Sequence, residues 1–121
     1  MTTTVNLNGS GVAGLTADAI TGFVTLAQTA SGASQGAQTF PTDIVVYTSS
    51  TASYGPTLPS TAQTGDSYFV ANNTANSINV WPSTGGAIGS ASANAALAVP
   101  AGKSAKFVSI GSGNWFALVS A

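Results

Sequence analysis

Short runs of β-prone residues, each closed by Gly, Pro, Asn or Ser, are the feature that most restricts how this chain can fold. They recur from residue 42 onward, and the clearest are Asp43–Thr48, Ser67–Ala71, Ser77–Trp81, Ala96–Val99, Lys103–Ile110 and Trp115–Ser120. Runs of this length between turn residues are typical of antiparallel sandwiches and barrels. The sequence therefore predicts an all-β fold, a small antiparallel β-sandwich or jelly-roll-like barrel of about six to eight short strands.

The first 40 residues follow this pattern less regularly. Val5 and Leu7 alternate with polar residues, and Phe23–Leu26 is predicted to form a strand. Ala27–Thr39 has no large apolar residue, so it is predicted to be a long loop or a flexible arm. The chain is accordingly expected to divide into an N-terminal arm and loop that attaches to a particle or subunit, residues 1–40, and an antiparallel β domain, residues 41–121.

Charged residues make up only 4% of the chain, and this composition excludes several classes of function. There is no Cys and no His, and the charges are two Lys and three Asp. Disulfide scaffolds, zinc sites and catalysis by His or Cys are therefore excluded. Two Lys cannot neutralise a phosphate backbone, so no nucleic-acid partner is expected. No apolar stretch is long enough to suggest a membrane partner.

Three patterns resemble chemical motifs but have simpler explanations. Gly9–Gly14 fits G-x-G-x-x-G, yet no long helix and no acidic residue at the required distance follow it. The three Asp lie far apart and none has Asp-x-Asp spacing, which argues against a calcium site. Lys103 and Lys106 are better explained as charges on a strand edge than as part of a Ser–Lys dyad. We therefore expect no enzyme activity, no cofactor and no metal.

The aromatic residues leave two interpretations open. A group of five could form a platform on which a sugar ring stacks, or its members could be anchors in the core or at a subunit interface, which we favour. The five are Tyr47, Tyr54, Tyr68, Trp81 and Trp115.

Several predicted strands are apolar on both faces, as where Phe69 lies between Tyr68 and Val70. One face must meet the domain core, and we expect the other to meet a neighbouring subunit, because a monomer would expose it. The predicted contacts with a subunit or a capsid are Val5, Leu7, Phe23, Leu26, Trp81, Trp115 and Phe116.

The second half of the chain resembles a recurrent module of structural proteins of tailed bacteriophages. The resemblance covers about residues 58–119, in order and spacing. It is carried by Leu58-Pro59, Gly65–Asn73, Ser77–Pro82, Gly85–Gly89, Val99–Lys103, Phe107 and Trp115-Phe116. The module is similar to that of small capsid decoration (cement) proteins and of head or tail fibre domains. The first 57 residues are not part of it.

This resemblance implies a structural virion protein that binds the outside of a phage head as a symmetric oligomer, a trimer. It would stabilise contacts between major capsid proteins, its partners besides itself, by burying apolar surface across their joints. It would be made in the bacterial cytoplasm and reside on the outer capsid surface. The alternative is a tail or fibre component whose loops bind a host glycan. A stand-alone carbohydrate-binding module of a cell-surface protein is disfavoured, because no secretory signal is recognised.

Overall fold

A computed structural model describes residues 24–51 and 53–121, and over these residues the protein is all-β. Eight strands follow one another: β1 (Val24–Ala30), β2 (Ile44–Ser50), β3 (Ser67–Asn72), β4 (Ile78–Val80), β5 (Ala87–Ile88), β6 (Leu97–Val99), β7 (Ser104–Gly111) and β8 (Asn114–Val119). Within the described ranges, no helix has the length and apolar character needed to cross a membrane.

The strands form a six-stranded sheet in the order β1-β2-β3-β7-β8-β5 and a two-stranded sheet of β4 and β6. This arrangement confirms the predicted all-β class and fits a small β-sandwich. The large sheet is mixed, which corrects the expectation that all pairs are antiparallel. β1, β2 and β3 pair in parallel, as do β5 and β8. The long connections 31–43 and 51–66 make this possible, because each gives the chain room to return to the end at which the previous strand began.

The core lies between one face of the large sheet and the small sheet. Alternation along each strand turns every second side chain inward, and those side chains join one buried cluster with residues of β4 and β6. Its members from the large sheet include Val45, Tyr47, Val70, Ile88, Phe107 and Trp115, and those from the small sheet are Ile78, Val80 and Val99.

Two segments pair where the sequence predicted loop or turn. Residues 27–30 belong to β1, whose Gln28 and Thr29 pair with Tyr47 and Ser49 of β2 through an irregular register. Ala87–Ile88 forms β5 beside β8. In both places an adjacent strand supplies backbone hydrogen-bond partners, which outweighs the weak strand propensity of these residues.

Two tight turns join neighbouring strands in the chain. The β7–β8 hairpin closes through Ser112 and Gly113, both with positive φ (56° and 78°), as in a type I′ turn. Between β6 and β7, the Lys103 N–H donates to the Pro100 carbonyl at 3.0 Å, and Gly102 has φ of 76°. Pro100 is thus the first residue of a type II turn whose third residue is Gly102.

Candidate functional site

The face of the large sheet that points away from the core carries a band of large apolar side chains. The register places Val24, Ile44, Phe69, Lys106 and Leu118 in one row across β1, β2, β3, β7 and β8. Strand alternation adds Leu26, Ile110 and Phe116 to the same side. We call this set of eight residues the outer face.

The outer face is exposed to an extent that single chains seldom show. Leu118 is 75% exposed, Leu26 71% and Phe116 62%, while Val24, Ile44, Phe69 and Ile110 are exposed to a smaller degree. A contiguous apolar patch of this kind marks an interaction surface in most proteins. The structure therefore bears out the expectation that several strands are apolar on both faces.

One charged side chain lies within the outer face and another borders it. Lys106 is exposed in the row between Phe69 and Leu118, and no other charged side chain of the described residues lies in the row. A shallow depression of about 410 Å³ is lined by Asp43, Phe69 and Lys106, among others. Burial, reinforced by the nearby Asp66 carboxylate, raises the pKa of Asp43. A carboxylate and an ammonium group therefore line one depression beside an otherwise apolar surface.

Tyr68 lies between two other rings at the start of β3. Its centroid is 5.1 Å from that of Phe40 and 5.7 Å from that of Trp115, and both contacts are edge-to-face. Burial, together with the Asp43 and Asp66 carboxylates, raises the pKa of its phenol. Tyr47 and Trp115 are buried in the core, so the five aromatic residues do not form one sugar-stacking platform.

The residues predicted as interface contacts fall in different environments. Leu26 and Phe116 lie on the outer face. Trp115, 1% exposed, is inside the core rather than on a surface of this chain. Trp81 is half-buried. Its N–H donates a hydrogen bond to the Pro56 carbonyl, and its carbonyl accepts one from the Leu58 N–H. The other predicted contacts, Val5, Leu7 and Phe23, lie outside the described residues.

The sequence-based set omitted several residues of the outer face. Ile44 and Phe69 lie next to the core residues Val45 and Val70, and Leu118 lies next to Ala117, which packs against the core. The two-residue period of β2, β3 and β8 therefore already places these three side chains outward. The missing information was the order of the strands. Without it, no spacing shows that these three side chains share a row.

Nothing in the described part of the chain groups three or more potential metal-ligating residues of the His, Cys, Asp or Glu type. No protein-family model, no curated protein and no solved structure matches this chain. What the protein does is therefore inferred from its own surface and from the sequence resemblance of residues 58–119.

Proposed function

We propose that this chain is a structural virion protein of a tailed bacteriophage. It acts as a capsid decoration protein, binding the outside of the head as a symmetric oligomer and stabilising contacts between major capsid proteins. The observation that carries the proposal is the outer face, an apolar row that spans five neighbouring strands. The resemblance of residues 58–119 supplies the kind of particle.

The occupant we propose for the outer face is a second copy of the chain. At a strand spacing of about 4.8 Å, five strands extend over roughly 20 Å, which is on the scale of a small subunit interface. Lys106 within the row and Asp43 beside it are complementary in charge. A symmetric contact between copies would bring Lys106 of one subunit opposite Asp43 of the next while burying Phe116 and Leu118.

Attachment to the head is assigned to the N-terminal segment, with Val5, Leu7 and Phe23 as its contacts. Leu26 follows directly, at the β1 end of the outer face. The described residues therefore begin beside the proposed subunit contact. One subunit could in this way hold its copies through the sheet and the major capsid protein through the residues that precede it.

The self-association is tested by sedimentation at micromolar concentration. We expect a single species of three times the 11.8 kDa chain mass. Leu118→Lys should dissociate it, because a second charge would be buried in the apolar contact. The matched control is Ser90→Lys, which adds the same charge at an exposed turn position after β5. A wild-type monomer, or equal behaviour of the two variants, would contradict the proposed contact.

The location in the particle is tested separately, by labelling the protein and imaging intact virions. A decoration protein should be present in many copies spread over the head, whereas a fibre component should appear as a few copies at one vertex or on the tail. Isolated heads lacking the protein should take it up and become more resistant to heat. Label confined to the tail would refute the decoration role and favour the fibre alternative.

A further inference from the structure

A second concave surface, away from the outer face row, opens beside the start of β3. It is a cleft of about 490 Å³, within the size range of small-ligand sites. Its walls come from the segment before β2, which contributes Thr39 and Phe40, from the connection after β2, which contributes Ser60 and Thr61, and from Thr84 after β4. Tyr68 closes it from β3.

Hydrogen bonds between these segments fix the shape of the cleft. The Gly36 N–H donates to the Thr57 hydroxyl at 2.7 Å, and the Thr57 N–H donates to the Gln38 carbonyl at 2.8 Å. On the other side, the Leu58 N–H donates to the Trp81 carbonyl at 2.8 Å. Three separate stretches are thus tied edge to edge, and a ligand would pay little to order them.

The lining combines two aromatic rings with exposed hydroxyl groups. The Phe40 and Tyr68 rings meet edge-to-face, at an interplanar angle of 61°. Thr39, Ser60, Thr61 and Thr84 are all exposed along the cleft. Each of these hydroxyls can donate and accept a hydrogen bond. The cleft therefore offers an apolar surface bordered by groups with both hydrogen-bonding capacities.

Among the described residues, no charged side chain lines the cleft: Asp43, Asp66, Lys103 and Lys106 all lie outside its lining. A phosphorylated or sulfated ligand would bring a charge into this site with no opposite charge to receive it. A purely apolar ligand would leave the hydroxyls facing it without partners. A sugar ring meets both conditions, because its C–H face packs on an aromatic ring while its hydroxyls donate and accept around the rim.

We propose that this cleft binds a neutral carbohydrate, with Phe40 and Tyr68 against the ring and Thr39, Ser60, Thr61 and Thr84 around its hydroxyls. This proposal does not depend on the outer face, so Leu118→Lys tests the proposed function without altering the cleft.

The test is an NMR titration of the ¹⁵N-labelled full chain with four neutral hexasaccharides, built from α-linked glucose, β-linked glucose, mannose and N-acetylglucosamine. Each is added to about 10 mM, enough to detect millimolar affinity. At least one should shift the amide signals of Phe40, Thr61 and Thr84 saturably. A heparin hexasaccharide, which is highly sulfated, should bind at least tenfold more weakly. No shift with any of the four, shifts confined to other surfaces, or equal binding of heparin would overturn the proposal.

Two variants then locate the binding. Phe40→Leu removes the aromatic ring but keeps an apolar side chain, and Thr84→Val removes a hydroxyl at nearly constant volume. Each should weaken binding of the preferred sugar at least tenfold. Leu118→Ser, on the outer face, should leave the affinity unchanged, and melting temperatures report whether each variant remains folded. Wild-type affinity in both cleft variants, measured on folded protein, would also overturn the proposal.

Discussion

The side-chain amide of Asn72 donates a hydrogen bond of 2.8 Å to the carbonyl oxygen of Val99, and so joins β3 of the large sheet to β6 of the small one. The same amide donates to Asn76, and its oxygen accepts from the N–H and the hydroxyl of Thr74. Asn72 is only 2% exposed. A buried amide whose hydrogen-bonding groups all find partners is a specific connection between the two layers.

Asn72→Ala should destabilise the protein by about 2–4 kcal/mol, because it leaves the buried Val99 carbonyl without its donor and opens a small cavity. Chemical denaturation at fixed protein concentration measures this. The exposed neighbour serves as the control: Asn73→Ala, which retains the backbone bond from residue 73 to Tyr47, should cost less than about 0.5 kcal/mol. Equal losses in the two variants would show that the link between the sheets contributes little.

Trp115→Ala should cost about 3–5 kcal/mol in the free energy of unfolding, because the ring fills the core beside Tyr68 and leaves a large cavity. Phe116→Ala, next along β8 but 62% exposed, should cost less than 1 kcal/mol in a monomeric background such as Leu118→Lys. A loss below about 1 kcal/mol for Trp115→Ala would contradict its role as a core anchor.

Tyr47→Phe should leave the protein as stable or more stable at neutral pH, by up to about 1 kcal/mol. The hydroxyl is buried without a hydrogen-bond partner among the described residues, so the phenylalanine removes an unfavourable burial. Burial also raises the pKa of Tyr47 above 10.0. Above that pH the unfolded chain loses this proton while the folded one retains it, so stability must fall as pH rises.

The loss of folding stability at alkaline pH is measured by chemical denaturation at a series of pH values from about 8 to 11. Wild type should lose stability steeply above pH 10, and Tyr47→Phe should lose less. Tyr68, whose pKa is also raised, accounts for part of what remains. Identical alkaline slopes in the two proteins would mean that the Tyr47 phenol is accessible in the folded state.

Self-association and binding to heads should change little between about pH 6 and 8, and little between about 50 and 500 mM salt. The chain has no His, and an exposed ion pair between Lys106 of one subunit and Asp43 of the next would contribute at most about 1 kcal/mol. The raised pKa of Asp43 means that the folded state takes up its proton first. Its contribution to stability is therefore retained on acidification and lost as pH rises through that pKa. A steep loss of binding with salt would contradict this reading of the surface.

Deleting residues 1–23 should leave the protein folded, because the eight strands of the described residues form one sheet pair and core without them. Circular dichroism and the melting temperature should match those of the full chain, while occupancy on isolated heads should fall. A deletion to residue 26 is less informative, since it also removes the first half of β1. If the shortened protein still decorates heads fully, the attachment surface lies on the β domain.

The sequence indicated where strands occur but not which strands pair. Ser67–Ala71 and Ser77–Trp81 match β3 and β4 to within a residue or so, because their alternation and bounding turns are local signals. Parallel pairing of β2 with β3 was missed, since alternation is the same for either direction. Ile44, Phe69 and Leu118 of the outer face were missed because their proximity depends on the order of the strands.

Asn72 illustrates a different limit. Asn tolerates positive φ better than most residues, so a cluster of Asn such as that in 72–76 is typical of a turn. Yet the non-glycine residues with positive φ among those described are Asn94 and Ser112. Asn72 acts through its side-chain amide, and its partner Val99 is 27 positions away. Such a contact leaves no local signature.

The order of strands in the large sheet also bears on how the chain reaches this structure. Of its neighbouring pairs, only β7 and β8 are joined by a two-residue turn, whereas β1 with β2, β2 with β3 and β3 with β7 close long stretches of chain. Closing a long loop costs chain entropy before the contacts it allows have formed, and this slows folding. Refolding should therefore take about milliseconds to seconds. The β7–β8 hairpin is then the one template available early. Gly113, whose φ of 78° suits the tip of this hairpin, is therefore expected to influence how fast the chain folds as well as how stable it is.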